Sequence, residues 1–137
     1  MKKRSLALLT LVAAGVALPV LAHHSFAMFD QTREVTLVGT VKEFQWTNPH
    51  AFIHIEVAEG GANEVWDIEL NSPNNLKRQG WKATSLKSGD KITLTANPLR
   101  DLTHKGGLFI SVKLPDGTVL GEATRAGRTG PINVPTP

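Results

Sequence analysis

At 137 residues the chain has room for one ordinary domain, and with no cysteine it can form neither disulfides nor thiolate metal sites, redox CxxC centres or cysteine nucleophiles. Its formal charge of +3 resides in the first 22 residues, which hold three of the fifteen Lys and Arg and none of the twelve Asp and Glu. The remainder balances to zero with histidines neutral, which argues against a nucleic-acid partner, since phosphate binding draws on an excess of cations.

Lys2, Lys3 and Arg4 precede an apolar run from Leu6 to Leu21, and Val20-Leu21-Ala22 places small residues where a signal peptidase cuts. Residues 1–22 therefore read as a signal peptide, with export to the periplasm or medium, a mature start at His23 and no membrane anchor after cleavage. Residues 23–33 form an N-terminal arm, in which Phe26 and Phe29 are expected to pin the chain to the domain. Residues 34–121 form the domain itself, and 122–137 read as a tail rich in Gly, Pro and Thr.

Within the domain, Val35, Leu37, Gly39 and Val41 alternate with period two until the parity slips near Lys42-Glu43 and Phe44 and Trp46 take over. A slip beside an interior glycine predicts a bulged, strongly coiled first strand. Thr47-Asn48-Pro49 ends it. Ala51, Ile53, Ile55 and Val57 give the next buried face, leaving His50, Phe52, His54 and Glu56 opposite. A loop over 59–63 leads to a third strand with Trp66, Ile68 and Leu70 inward and Val65, Asp67 and Glu69 outward. Ser72-Pro73 starts a short helix that Gly80 closes, and Leu76 and Trp81 plug a barrel end. Ile92, Leu94 and Ala96 face inward on a fourth strand. A loop over 97–107 follows, and a fifth strand puts Leu108, Ile110, Val112 and Leu114 on one side. Pro115-Asp116-Gly117 turns into a last short strand, Thr118 to Leu120. The order predicts an all-β chain with one short helix, a small OB-like antiparallel barrel of five to six strands. A small sandwich is the alternative.

The five histidines are the most informative polar residues. Cleavage before His23 would give it a free α-amine beside its imidazole, which together chelate a metal. An internal histidine would complete a histidine brace, and His24 offers a second chelate through amine, amide and imidazole. Nitrogen-rich tetragonal sites suit Cu(II); tetrahedral ones with a carboxylate suit Zn(II). His50 and His54, four strand residues or about 13 Å apart, do not grip one ion together unless the Asn48-Pro49 break folds His50 back. The candidate ligands are thus His23 and His24 with His50 or His54, and Asp67, expected opposite or diagonal to His54, would orient its ring. His104 reads as a loop residue. Phe52 and Trp46 are candidate contacts for a ligand held on the second and third strands. No GxSxG, HExxH or phosphate-loop motif occurs, and Glu56, Asp67 and Glu69 sit on a face with no pocket legible in the sequence, so no enzyme is expected.

The segments HHSFAMFD (23–30), GTVKEFQWTNPHAFIHIEV (39–57), VWDIEL (65–70), RQGW (78–81), LKSGDKITLTANPLRD (86–101) and GLFISVKLPDG (107–117) resemble a family of small exported bacterial proteins known only as a domain of unknown function. The resemblance implies export and a single β domain and carries no activity. The chain is also similar in size and strand order to exported OB-fold proteins, including periplasmic copper/silver chaperones, but lacks their methionine pair. Two functions stay open, a non-enzymatic metal module, copper before zinc, or an envelope module that binds a protein, peptide or small ligand; a copper enzyme using the brace for oxidation ranks third, because about 115 residues leave little room for a substrate platform.

Overall fold

The computed structural model describes residues 26–121. Residues 1–25, which include the expected signal peptide, His23 and His24, and residues 122–137 lie outside them. A single 3-10 turn, Phe26–Met28, leads into six strands and one helix: β1 (Val35–Gln45), β2 (Phe52–Glu59), β3 (Ala62–Glu69), α1 (Pro73–Arg78), β4 (Lys91–Pro98), β5 (Gly106–Lys113) and β6 (Val119–Gly121).

The strands lie in the order β3-β2-β1-β4-β5-β6, and a further β3–β5 pairing closes the first five into a barrel. That is the connectivity of the OB fold. Closure is not antiparallel throughout, as the sequence reading had it: Asp67–Glu69 run parallel to Gly106–Leu108. The helix between β3 and β4 carries the chain across the barrel end, so β5 can return alongside β3 in the same direction.

β1 serves two partners by bending. Its first half pairs with β4 and its second with β2, and Gly39 belongs to both ladders. A Cβ at Gly39 would collide with the Glu56 carbonyl, so only glycine lets the strands approach there. The predicted parity slip is a register shift between Val41 and Glu43. The β2–β3 connection is tighter than the expected loop: Gly60 and Gly61, both at positive φ, make the turn alone, as two-residue hairpins require.

Ser72 caps α1, with its side chain accepting from the Asn75 amide, and Pro73 opens the first turn. Leu76 and Trp81 are fully buried beneath it. Trp81 meets Phe109 edge-on at 5.4 Å and Phe44 at 5.9 Å, so aromatic packing seals this end. Here β5 departs from its expected parity. A register shift at Thr95/Ala96 sets Ala96 opposite Phe109 and leaves Ile110 without a partner in the ladder. Phe109, with Val112, therefore enters the core in place of Ile110. The bulge adds one residue and reverses the alternation. Of the two arm phenylalanines, Phe29 is buried at 3% exposed and pins the arm, while Phe26 is 47% exposed.

Candidate functional site

The arm is fastened to the segment that leaves β4. Phe29 bridges Leu99, and the Asp30 amide donates to the Pro98 carbonyl at 2.8 Å. The Arg100 amide and Nε donate to the carbonyls of Met28 and Ala27, both at 2.9 Å. Asn97 Nδ2 donates to the Arg33 carbonyl at 2.7 Å. These bonds hold Met28 on one wall of a groove of about 800 Å³ that runs over the outer face of β2 and β3 and under the 99–105 loop. Phe52, Val65 and Met28 give it apolar surface; Asp67, Glu69 and Asp101 contribute carboxylates. The outward carboxylates of β3 thus stand in a pocket after all. The loop that walls it is distant in sequence from β2 and β3, which hid it from a strand-by-strand reading.

The three histidines among the described residues each pair with one of those carboxylates. Strand register sets His54 opposite Asp67, and His54 Nδ1 donates to Asp67 Oδ1 at 2.6 Å. Its Nε2 lies 3.2 Å from Gln45 Oε1, so both ring nitrogens are engaged, and its ring stacks on Phe52. His50 precedes β2 after the cis Asn48–Pro49 bond. Its Nδ1 donates to the Leu70 carbonyl at 3.1 Å and stands 3.5 Å from Glu69 Oε1. A carbonyl only accepts, so Nδ1 carries a proton. Glu69 is 6% exposed, an uncommon place for a carboxylate. His104, in the loop, pairs with Asp101 at 3.2 Å.

Two cations at the groove are committed elsewhere. Arg100 holds the arm, and Lys105 bridges Glu59 at 3.1 Å and Glu64 at 2.8 Å while lying 5.4 Å from the Trp66 ring centroid. The two carboxylates hold the Lys105 ammonium above its ordinary pKa, and Lys105 in turn holds Glu64 below its own. On the loop, the Thr103 hydroxyl and amide donate to Asp101 and lower its pKa.

The sequence candidates are therefore brought together in part. Asp67 and Phe52 line the groove, His54 touches both, and His50 reaches its Glu69 end. Trp46 is not among the lining residues and instead packs edge-on against Phe44 at 5.4 Å. Trp66 belongs to the core. The sequence reading set His104 aside, yet it lines the groove; an aspartate three residues earlier was the signal available. Among the described residues, no three His, Asp or Glu groups converge as a metal site.

Residues 11–109 match the family of unknown function DUF6152. The chain belongs to that family. Family membership names no activity. No curated protein matches the chain. Among solved structures it is similar to the Saccharomyces cerevisiae mitochondrial single-stranded DNA binding protein Rim1. One crystal form gives a TM-score of 0.48 at 10% identity over 61% of this chain and 92% of that one. Another gives 0.46 at 12% identity over 61% and 93%. At this identity the likeness is one of barrel architecture only.

Proposed function

We propose that this member of the family is an exported, non-enzymatic metal-binding module of the bacterial periplasm, with Cu(II) as the metal its donors suit best and Zn(II) as the alternative. One observation carries the reading. His50 is oriented by a backbone carbonyl at its Nδ1, so that Nε2 is the nitrogen it would have to turn to a metal, and it stands at the Glu69 end of the groove whose wall the N-terminal arm forms. A metal-ligating histidine is oriented in this way, with its other nitrogen donating to a carbonyl or carboxylate. His23 lies three residues before Phe26, so its α-carbon is within about 11 Å of that anchored turn. His23 would supply amine and imidazole, His24 a further nitrogen, and His50 the completing ligand. At His54, the other candidate, a metal at Nε2 would have to displace Gln45.

The test uses calorimetry on the chain matured at His23 and on the same chain with one extra N-terminal glycine. Moving the amine off His23 should weaken Cu(II) binding at least tenfold, and His50→Ala should weaken it in the first form only. Equal affinity in both forms, or a secreted protein that begins at any other residue by mass spectrometry, removes the copper reading.

The groove itself favours a second reading, an envelope module that takes a peptide or small ligand across β2 and β3. Its apolar surface at Phe52, Val65 and Met28 lies beside three carboxylates, which suits an extended ligand bearing a cation and apolar groups. The same carboxylates disfavour a phosphate backbone, so this reading leaves nucleic acid aside.

A further inference from the structure

Charge is divided across the barrel. The β2–β3 hairpin, residues 52–69, carries five of the chain's acidic residues and no Lys or Arg. The stretch from the end of α1 to the first residue of β4, 77–91, carries five cations and only Asp90 against them. In the closed ring β3-β2-β1-β4-β5, β4 lies across the barrel from the β2–β3 pair. The acidic hairpin and the strand that ends this basic stretch therefore face opposite ways.

Strand register builds the outer face around β4. Val38 is opposite Thr93, Thr93 is opposite Lys113, and Lys113 is opposite Val119, a row across β1, β4, β5 and β6. Thr40 pairs with Lys91 in the next row, and Lys42 continues β1 beyond it. The lysines are exposed, and Val38, at 68%, is the most exposed large hydrophobic side chain among the described residues. Lys42, Lys87, Lys91 and Lys113 form no ion pair among the described residues. Glu43 and Asp90 border the face, and Asp90 accepts from the Lys87 amide. The hairpin's acids are by contrast taken up, Glu59 and Glu64 by Lys105 and Asp67 by His54. A second copy of the chain thus has few free carboxylates to offer these lysines, and the anions that answer them come from elsewhere.

We propose that this face docks on an anionic phospholipid bilayer, with Lys42, Lys87, Lys91 and Lys113 over the headgroups and Val38 seated among them. Lysine is a compact, mobile charge that suits a diffuse layer of anions. Nucleic acid is held instead by arginine forks and by aromatic rings on which bases stack. The rows of this face offer lysine, threonine and valine, with no arginine and no aromatic ring. Each lysine near an anionic surface strengthens binding about fivefold, so four give a peripheral attachment that salt weakens. Docking on this side turns the β2–β3 groove to water. The proposal depends on neither the metal reading nor the groove reading of function.

The test is co-sedimentation of the mature chain with vesicles. Vesicles of phosphatidylglycerol and phosphatidylcholine in equal parts should carry the protein down, and phosphatidylcholine alone should not. Lys91→Gln and Lys113→Gln should each weaken binding about fivefold, and the two together about twenty-fivefold, with the circular dichroism spectrum unchanged. Because the chain has no cysteine, Val38→Cys and Val65→Cys each give one site for an environment-sensitive fluorophore. The anionic vesicles should shift the emission of the label at position 38 to the blue and leave the label at position 65, in the groove, unshifted. No binding to the anionic vesicles, equal binding to both kinds, or full binding by the double lysine variant overturns the proposal. So does a label at position 38 that stays unshifted, or a shift at position 65. A single-stranded oligonucleotide that strips the protein from the vesicles at equal phosphate concentration also overturns it, and would assign the face to nucleic acid.

Discussion

The two sides of the barrel are built on opposite principles. At the α1 end, Leu76, Trp81, Phe44 and Phe109 exclude water by aromatic and aliphatic packing. On the β2–β3 face, the polar residues are held by charge and hydrogen bonding: three histidine–carboxylate pairs, one buried glutamate and a loop tied by Arg100 to the arm. Burial of hydrocarbon is where a cysteine-free domain of this size finds its stability. Half-exposed ion pairs contribute little to folding. The contrast teaches that the exposed pairs of the groove face, His54–Asp67 and His104–Asp101, can change at small cost to the fold, and the buried Glu69 and the sealed end cannot.

Truncation at the seal should break the fold hardest. Trp81→Ala should lower the unfolding free energy by about 3–5 kcal/mol in urea denaturation, the usual cost of deleting a buried aromatic ring; a loss under about 1 kcal/mol would mean that α1 does not close the barrel. The groove face should answer differently. Asp67→Asn should stay within about 1 kcal/mol of the parent, because Asp67 is largely exposed. Its effect should instead be read in the His54 ring resonances, which should shift as Nδ1 loses its carboxylate; an unchanged ring spectrum would break the contrast. The smallest effect concerns Asp101. Its folded pKa is depressed below the ordinary 3.8 by the Thr103 hydroxyl and amide, so its contribution is present above the unfolded value and lost as pH falls through the folded one. A carboxyl titration by NMR should place Asp101 below an unfolded peptide reference, and the Thr103 amide should lose protection only in that acid range.

Much of the sealed side was legible along the chain. Ser72-Pro73, the glycine that closes α1, and the inward alternation of β2 and β4 are local signals, read from neighbouring residues. Where a bulge intervened the alternation misled. Ile110 looked like a core residue until the β4–β5 register shift gave its place to Phe109. The site was legible only as pairs. The alternation and a short hairpin set His54 against Asp67, but His50–Glu69 depends on how the 46–51 segment returns, and the groove depends on the arm and the 99–105 loop meeting across the barrel. Such long-range meetings leave no periodic trace in a sequence.

The β3–β5 seam joins the two strands through Asp67–Glu69 alone, whereas β2 and β3 pair along their whole length. The two strands of that seam carry Asp67 and Glu69 on one side and Gly106 and Gly107 on the other, and all four line the groove, so any parting of the seam would widen the groove as well.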